Sequence, residues 1–194
     1  RWADREKQRP VFAFGHGLSY TQFAISNLRA DKASMTAADS ITFTVQVKNI
    51  GQRAGSETVQ LYVHDAKASV DRPLKELKGF CKVSLKPGES KDVSITLGKD
   101  ALSFYDETTA SWKAEPGLFE AWVGNASDNL KLRKSFQLKN PRIIIKLKLG
   151  SEVIEVKEVI TPFGRWKLKP TAFLVEDLAV KHMALTSLTS LNSL

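Results

Sequence analysis

Along most of the chain, apolar and polar residues alternate one by one, the period of a strand with one buried face. The clearest run is Ile41 to Val47, where Ile41, Phe43, Val45 and Val47 share one side and Thr42, Thr44, Gln46 and Lys48 the other. Val59, Leu61 and Val63 form a second inward row, with Gln60 and Tyr62 opposite. Val93, Ile95 and Leu97 make a third, and Phe119, Ala121 and Val123 a fourth against Leu118, Glu120 and Trp122. Phe23 to Ala30 reads as a first strand, and Leu130 to Leu138 closes the series through Leu132, Phe136 and Leu138. Leu74 to Leu85 reads as another strand, with Leu77, Phe80 and Val83 as its anchors. Turn chemistry falls between the runs at Asn49-Ile50-Gly51, Pro87-Gly88 and Pro116-Gly117. Lys99 to Phe104 predicts one helical turn, with Leu102 and Phe104 plugging the end of the core, and Trp112 sits on a short strand.

Short alternating strands with no helix of ordinary length among them predict an all-β fold. The span 23–138 fits an immunoglobulin or fibronectin type III-like β-sandwich of about seven strands. One cysteine, Cys81, leaves no pair for an antibody-type bridge, which favours the fibronectin-like variety. It also excludes a cysteine-based metal site, and its apolar neighbours predict a buried, inert thiol.

Before the first strand stands Phe12-Ala13-Phe14-Gly15-His16-Gly17-Leu18-Ser19-Tyr20-Thr21. Two glycines flank a histidine, so the backbone can turn or pass close to another surface on either side. Aromatic and apolar groups surround that turn, which predicts a segment that docks onto something. The candidate contact residues are Phe14, Gly15, His16, Gly17, Leu18, Ser19 and Tyr20, together with Arg72 and Pro73 of the loop after the second inward row. Residues 1–22 are thus expected to be a linker and docking segment, and 139–194 an unassigned extension. In that extension Gly150-Ser151 reads as a hairpin turn, and Leu174, Leu178, Leu185 and Leu188 fall near helical spacing.

The chain of 194 residues carries a formal charge of +8. Its lysines and arginines are scattered among the strands rather than blocked together, so a solvated surface is expected and not a nucleic-acid partner. No apolar run is long enough to span a bilayer. The start at Arg1, without a methionine, reads as a piece of a longer protein.

Several segments resemble the C-terminal fibronectin type III-like domain of family 3 glycoside hydrolases of the β-glucosidase type. They are Phe14 to Thr21, Val47 to Gly51, Val59 to Val63, Arg72 to Phe80, Leu85 to Glu89, Leu102 to Asp106 and Glu115 to Gly117, in that family's order. The resemblance covers about residues 1–138 and does not extend to the tail. It implies the catalytic domains of a parent hydrolase as partners, leaves a homodimer contact open, and suits a periplasmic or secreted parent.

The chemistry of such a parent is not expected here. Retaining glycosidases set two carboxylates across the scissile bond, and the family carries them on upstream domains. Asp65, Asp71, Glu76, Asp106 and Glu115 lie at turns or strand edges, where carboxylates cap backbone N–H groups. His16, His64 and His182 lack ligand spacing, so neither metal nor cofactor is expected. The reading is an accessory structural domain. Two rivals remain: a carbohydrate-binding module, which would expose coplanar tryptophans among Trp2, Trp112, Trp122 and Trp166, and a basic adhesion or nucleic-acid module, which would show a continuous Lys/Arg stripe. Asn125-Ala126-Ser127 matches a glycosylation acceptor but reads first as a hairpin turn.

Overall fold

The structure, a computed structural model, describes Gln8 and residues 10–140, 143–149 and 152–159. The chain divides into two compact units, Arg1–Pro141 and Arg142–Leu194. The first is a two-sheet sandwich. One sheet has the order β1-β3-β6, from β1 (Phe23–Ala30), β3 (Ile41–Asn49) and β6 (Ser90–Leu97). The other has the order β2-β10-β9-β4-β5, from β2 (Ser34–Thr36), β10 (Leu132–Lys139), β9 (Gly117–Gly124), β4 (Gly55–Asp65) and β5 (Glu76–Leu85). The alternation explains the partition. Ile41, Phe43, Val45 and Val47 face inward from the first sheet and meet Val59, Leu61, Val63, Phe119, Ala121 and Val123 of the second. Phe43 and Phe119 both close on Phe136, with ring centroids 5.3 Å and 5.8 Å away.

A 3-10 turn over Lys99–Leu102 follows β6 and drives Leu102 fully into the core. Phe104 begins a separate ribbon, β7 (Phe104–Asp106) paired with β8 (Ser111–Lys113), and is only half-buried. The short β2 carries no readable alternation. It adds to the sheet edge because Met35 is buried, and it runs parallel to β10, with Ser34 opposite Gln137 and Thr36 opposite Lys139.

The expectation for β5 needs correction. Phe80 is 70% exposed and Leu77 is also exposed; only Val83 of the three expected anchors packs against the core. Two causes act: Phe80 lies three residues from Val83 and so faces the other way, and a β-bulge turns Leu77 over. Consecutive residues Leu61 and Tyr62 of β4 face Gly79 and Leu77, so Lys78 is an extra residue on β5. Leu77 is thereby placed opposite Tyr62, an outward position of β4, while Phe80 stands opposite outward Gln60 in regular register, and the core is filled instead by Leu85, Val83 and Cys81. Cys81 is half-buried, not fully buried.

In the second unit, β11 (Ile143–Leu149) pairs antiparallel with β12 (Glu152–Val159), Leu149 facing Glu152. The expected helical spacing from Leu174 onward lies outside the described residues, as do Trp2, Trp166 and His182.

Candidate docking site

The leading segment is built around a tight turn. The His16 amide donates to the Ala13 carbonyl at 2.9 Å, and Gly15 takes the third position with φ +83°. That backbone conformation suits glycine and occurs at this position in a type II turn. A Cβ there would also stand 2.0 Å from Gln60 Nε2. Gln60 has little freedom to yield, because it is buried, its Nε2 donates to Asn125 O at 3.0 Å, and its Oε1 accepts from Tyr62 Oη at 2.8 Å. The Ser127 amide donates to Phe14 O at 2.9 Å on the same side.

Six residues on, the segment is fixed again. Thr21 is buried, and its hydroxyl donates to Asn49 Oδ1 at 2.7 Å; Ile50 N donates to Gln22 O at 2.8 Å. Asn49 is fully buried and its amide also donates to Arg53 O and Leu85 O, so it does more than shape a turn. Between these two points Leu18 is 96% and Tyr20 92% exposed, with Phe14 exposed just before them and the His16 ring 5.0 Å from the exposed Phe12. Gly17 and Ser19 are exposed as well. From Pro10 to Leu28 there is no Asp, Glu, Lys or Arg.

The Arg72-Pro73 loop meets the leading segment through one residue. Ser127, whose amide holds Phe14 O, accepts from Lys75 Nζ with its own carbonyl. Arg72 itself is turned inward, its side chain 7% exposed, and Pro73 is half-buried. The guanidinium donates to Asp65 Oδ2 at 3.2 Å, to Leu102 O at 3.0 Å and to Glu76 Oε1 at 3.0 Å, and lies over the Phe104 ring. Its polar capacity is used inside the sandwich. Gln60, Asn49, Ser127 and Lys75 were not legible as site residues, since each reads as an ordinary polar strand or turn position.

The carboxylates are likewise engaged in structure. Burial alone would raise Glu76, but the Lys78 hydrogen bond and charge, with the Arg72 charge, hold it below the ordinary glutamate value. The Thr108 amide, 3.0 Å away, lowers Asp106. Burial works to raise Glu115, and hydrogen bonds from Ser69 and Lys113 overcome it. A glycosidase general acid needs the reverse, a carboxyl held protonated near neutrality. Among the described residues no three His, Cys, Asp or Glu side chains converge as metal ligands.

Of the described tryptophans, Trp122 is 9% exposed under the Arg133 guanidinium, which sits 4.1 Å from its ring. Trp112 is 69% exposed and meets Tyr105 edge-on at 5.8 Å. The two do not form a coplanar exposed pair. Asn125 Nδ2 donates to Glu57 Oε2 at 3.1 Å and its Oδ1 accepts from Asn129 at 2.7 Å, which fixes the acceptor-like tripeptide as a structural turn.

Residues 57–127 match the Fn3-like family, the fibronectin type III-like domain. The chain is 45% identical over 140 residues to thermostable β-glucosidase B of Acetivibrio thermocellus, a match covering 72% of this chain and 18% of that protein. It is 41% identical over 133 residues to the periplasmic β-glucosidase of Salmonella typhimurium, covering 69% of this chain and 17% of that one. Among solved structures, a β-glucosidase of Kluyveromyces marxianus in complex with glucose superposes with a TM-score of 0.64 at 41% identity, over 71% of this chain and 16% of that one. A β-glucosidase of Erythrobacter marinus gives 0.64 at 40% identity, over 68% and 17%. The chain thus spans less than a fifth of the length of these relatives. A two-sheet sandwich with a charge-free leading segment, matched in sequence and shape to one portion of much longer enzymes, carries the fibronectin type III-like domain of family 3 glycoside hydrolases of the β-glucosidase type.

Proposed function

We propose that this chain serves as the accessory structural domain of a β-glucosidase-like hydrolase and holds no active site of its own. Residues 1–22 act as the linker and docking segment, 23–138 as the bracing sandwich, and 139–194 as a separate extension. The observation that carries the reading is the leading segment: Phe14, Leu18 and Tyr20 are exposed on backbone that the sandwich fixes at both ends. Interface cores are depleted of charge and enriched in aromatic groups, which is the composition found there. The candidate partner is the catalytic body of a parent enzyme, since the relatives carry more than four-fifths of their length outside the matched region.

The purified chain is expected to hydrolyse neither aryl-β-glucosides nor cellobiose above background, because the carboxylates named above are committed to structural bonds. Turnover that copurifies with the chain and vanishes when one of its own carboxylates is replaced sinks the reading. The exposed Trp112–Tyr105 pair supports a second reading, a sugar-stacking surface. Retarded migration in gels containing soluble β-glucan, lost in Trp112→Ala, would establish it.

A further inference from the structure

Boundaries between domains usually fall in exposed, flexible linkers. This one is held on the sandwich alone. We propose that residues 14–22 form a pre-set strap: two locks keep it in its docking conformation before any partner arrives, and Leu18 and Tyr20 are the two anchors it presents. The inference rests on the docking reading above and names how that docking is achieved.

The first lock combines the Gly15 turn with Gln60. Its steric part leaves no room for a Cβ, and its polar part joins Phe14 O to Ser127 N. The second is the buried Thr21 hydroxyl on Asn49, with Gly51 so close that a Cβ on it would stand 2.3 Å from Thr21 Oγ1. Leu18 and Tyr20 lie between the locks, two residues apart, so their Cα atoms are at most about 7 Å apart. The partner is therefore a face with two adjacent apolar pockets. The catalytic body of the same polypeptide is the occupant the page supports, from the length of the relatives outside the matched region and the uncharged composition of the strap. Ordering the strap beforehand removes part of the entropy cost of association.

The test uses the full 194-residue chain. In hydrogen exchange, the His16 and Ser127 amides are expected to be protected in the free chain. Gly15→Ala should release both while leaving the β3 and β9 amides and the melting temperature unchanged. Gly17→Ala should leave both amides protected and the rest unchanged, because nothing lies within 4 Å of a Cβ placed there. Should Gly15→Ala fold poorly, Thr21→Val opens the other lock at constant shape. Docking is then measured on the A. thermocellus β-glucosidase B polypeptide lacking its matched 140 residues. Gly15→Ala is expected to bind about tenfold more weakly or worse. Leu18→Ala and Tyr20→Ala should abolish binding without changing exchange. Wild-type affinity should hold in about 1 M salt, where charge attraction is screened beyond roughly 3 Å. Unprotected His16 and Ser127 in the free chain overturn the locks. Protected amides with undiminished Gly15→Ala binding overturn the role of pre-setting while the docking reading stands. Protected amides with no wild-type binding overturn the docking reading and the anchors with it.

Discussion

Arg72 closes four elements with one group: the end of β4 at Asp65, the start of β5 at Glu76, the 3-10 turn at Leu102 and the ribbon at Phe104. Removing it strands a nearly buried Asp65 carboxylate and unbinds a carbonyl. Arg72→Ala is expected to cost about 3 kcal/mol in denaturant unfolding, with Arg72→Lys intermediate because ammonium lacks the planar fork. The effect has a pH signature. Glu76 is held below its ordinary value in the folded state, so its contribution is complete above that value and is lost as pH falls through the folded one. The gap between wild type and Arg72→Ala should therefore narrow on acidification, and a gap constant from neutral to acid pH would exclude the Glu76 contact as part of it. None of this was legible beforehand. The sequence marks Arg72 as special through the following proline, but a partner thirty residues away at Leu102 leaves no local sign. The leading segment shows the same limit: its glycine density was readable, yet only the folded chain separates Gly15, which is hemmed in, from Gly17, which is not.

Among the elements, the inward rows of strands with unbroken alternation were legible, although outward Gln60, Tyr62 and Trp122 are buried as well. The inward rows of β3, β4 and β9 are buried as the period requires, since a residue's face is set by parity alone. Parity also explains the failure at β5. Phe80 is three residues from Val83 and must face the other way, whereas Leu77, in phase with Val83, is turned out by a single extra residue, Lys78, and no pattern of period two announces a bulge. Two phenylalanines then measure the difference. Phe119→Ala should destabilise the sandwich by about 3–5 kcal/mol, whereas Phe80→Ser should change thermal stability by less than about 0.5 kcal/mol. Comparable losses in the two variants would mean that Phe80 is covered in solution. The three-residue β2 went unread because one buried methionine is too short a signal for a strand.

For the whole molecule, the β-sandwich followed from the number and spacing of the strands, and the match to the hydrolase domain from several short segments in a fixed order. The boundary after the last sandwich strand is a further expectation. A chain ending at Lys139 should unfold in one cooperative transition with the melting temperature of the full chain, checked by calorimetry. A molten or aggregating product would show that later residues complete the core.

The parallel pairing of β2 with β10 gives the domain a mechanical property. A force stretching the polypeptide draws β2 back from its start and β10 forward from its end, and in a parallel pair those two points lie at opposite ends of the ladder. The hydrogen bonds between Ser34–Thr36 and Gln137–Lys139 are then loaded side by side in shear instead of being peeled open one after another. Once β1, which precedes β2 and is held antiparallel on β3, has yielded, this margin of three residue pairs resists in shear a pull that would unzip an antiparallel edge.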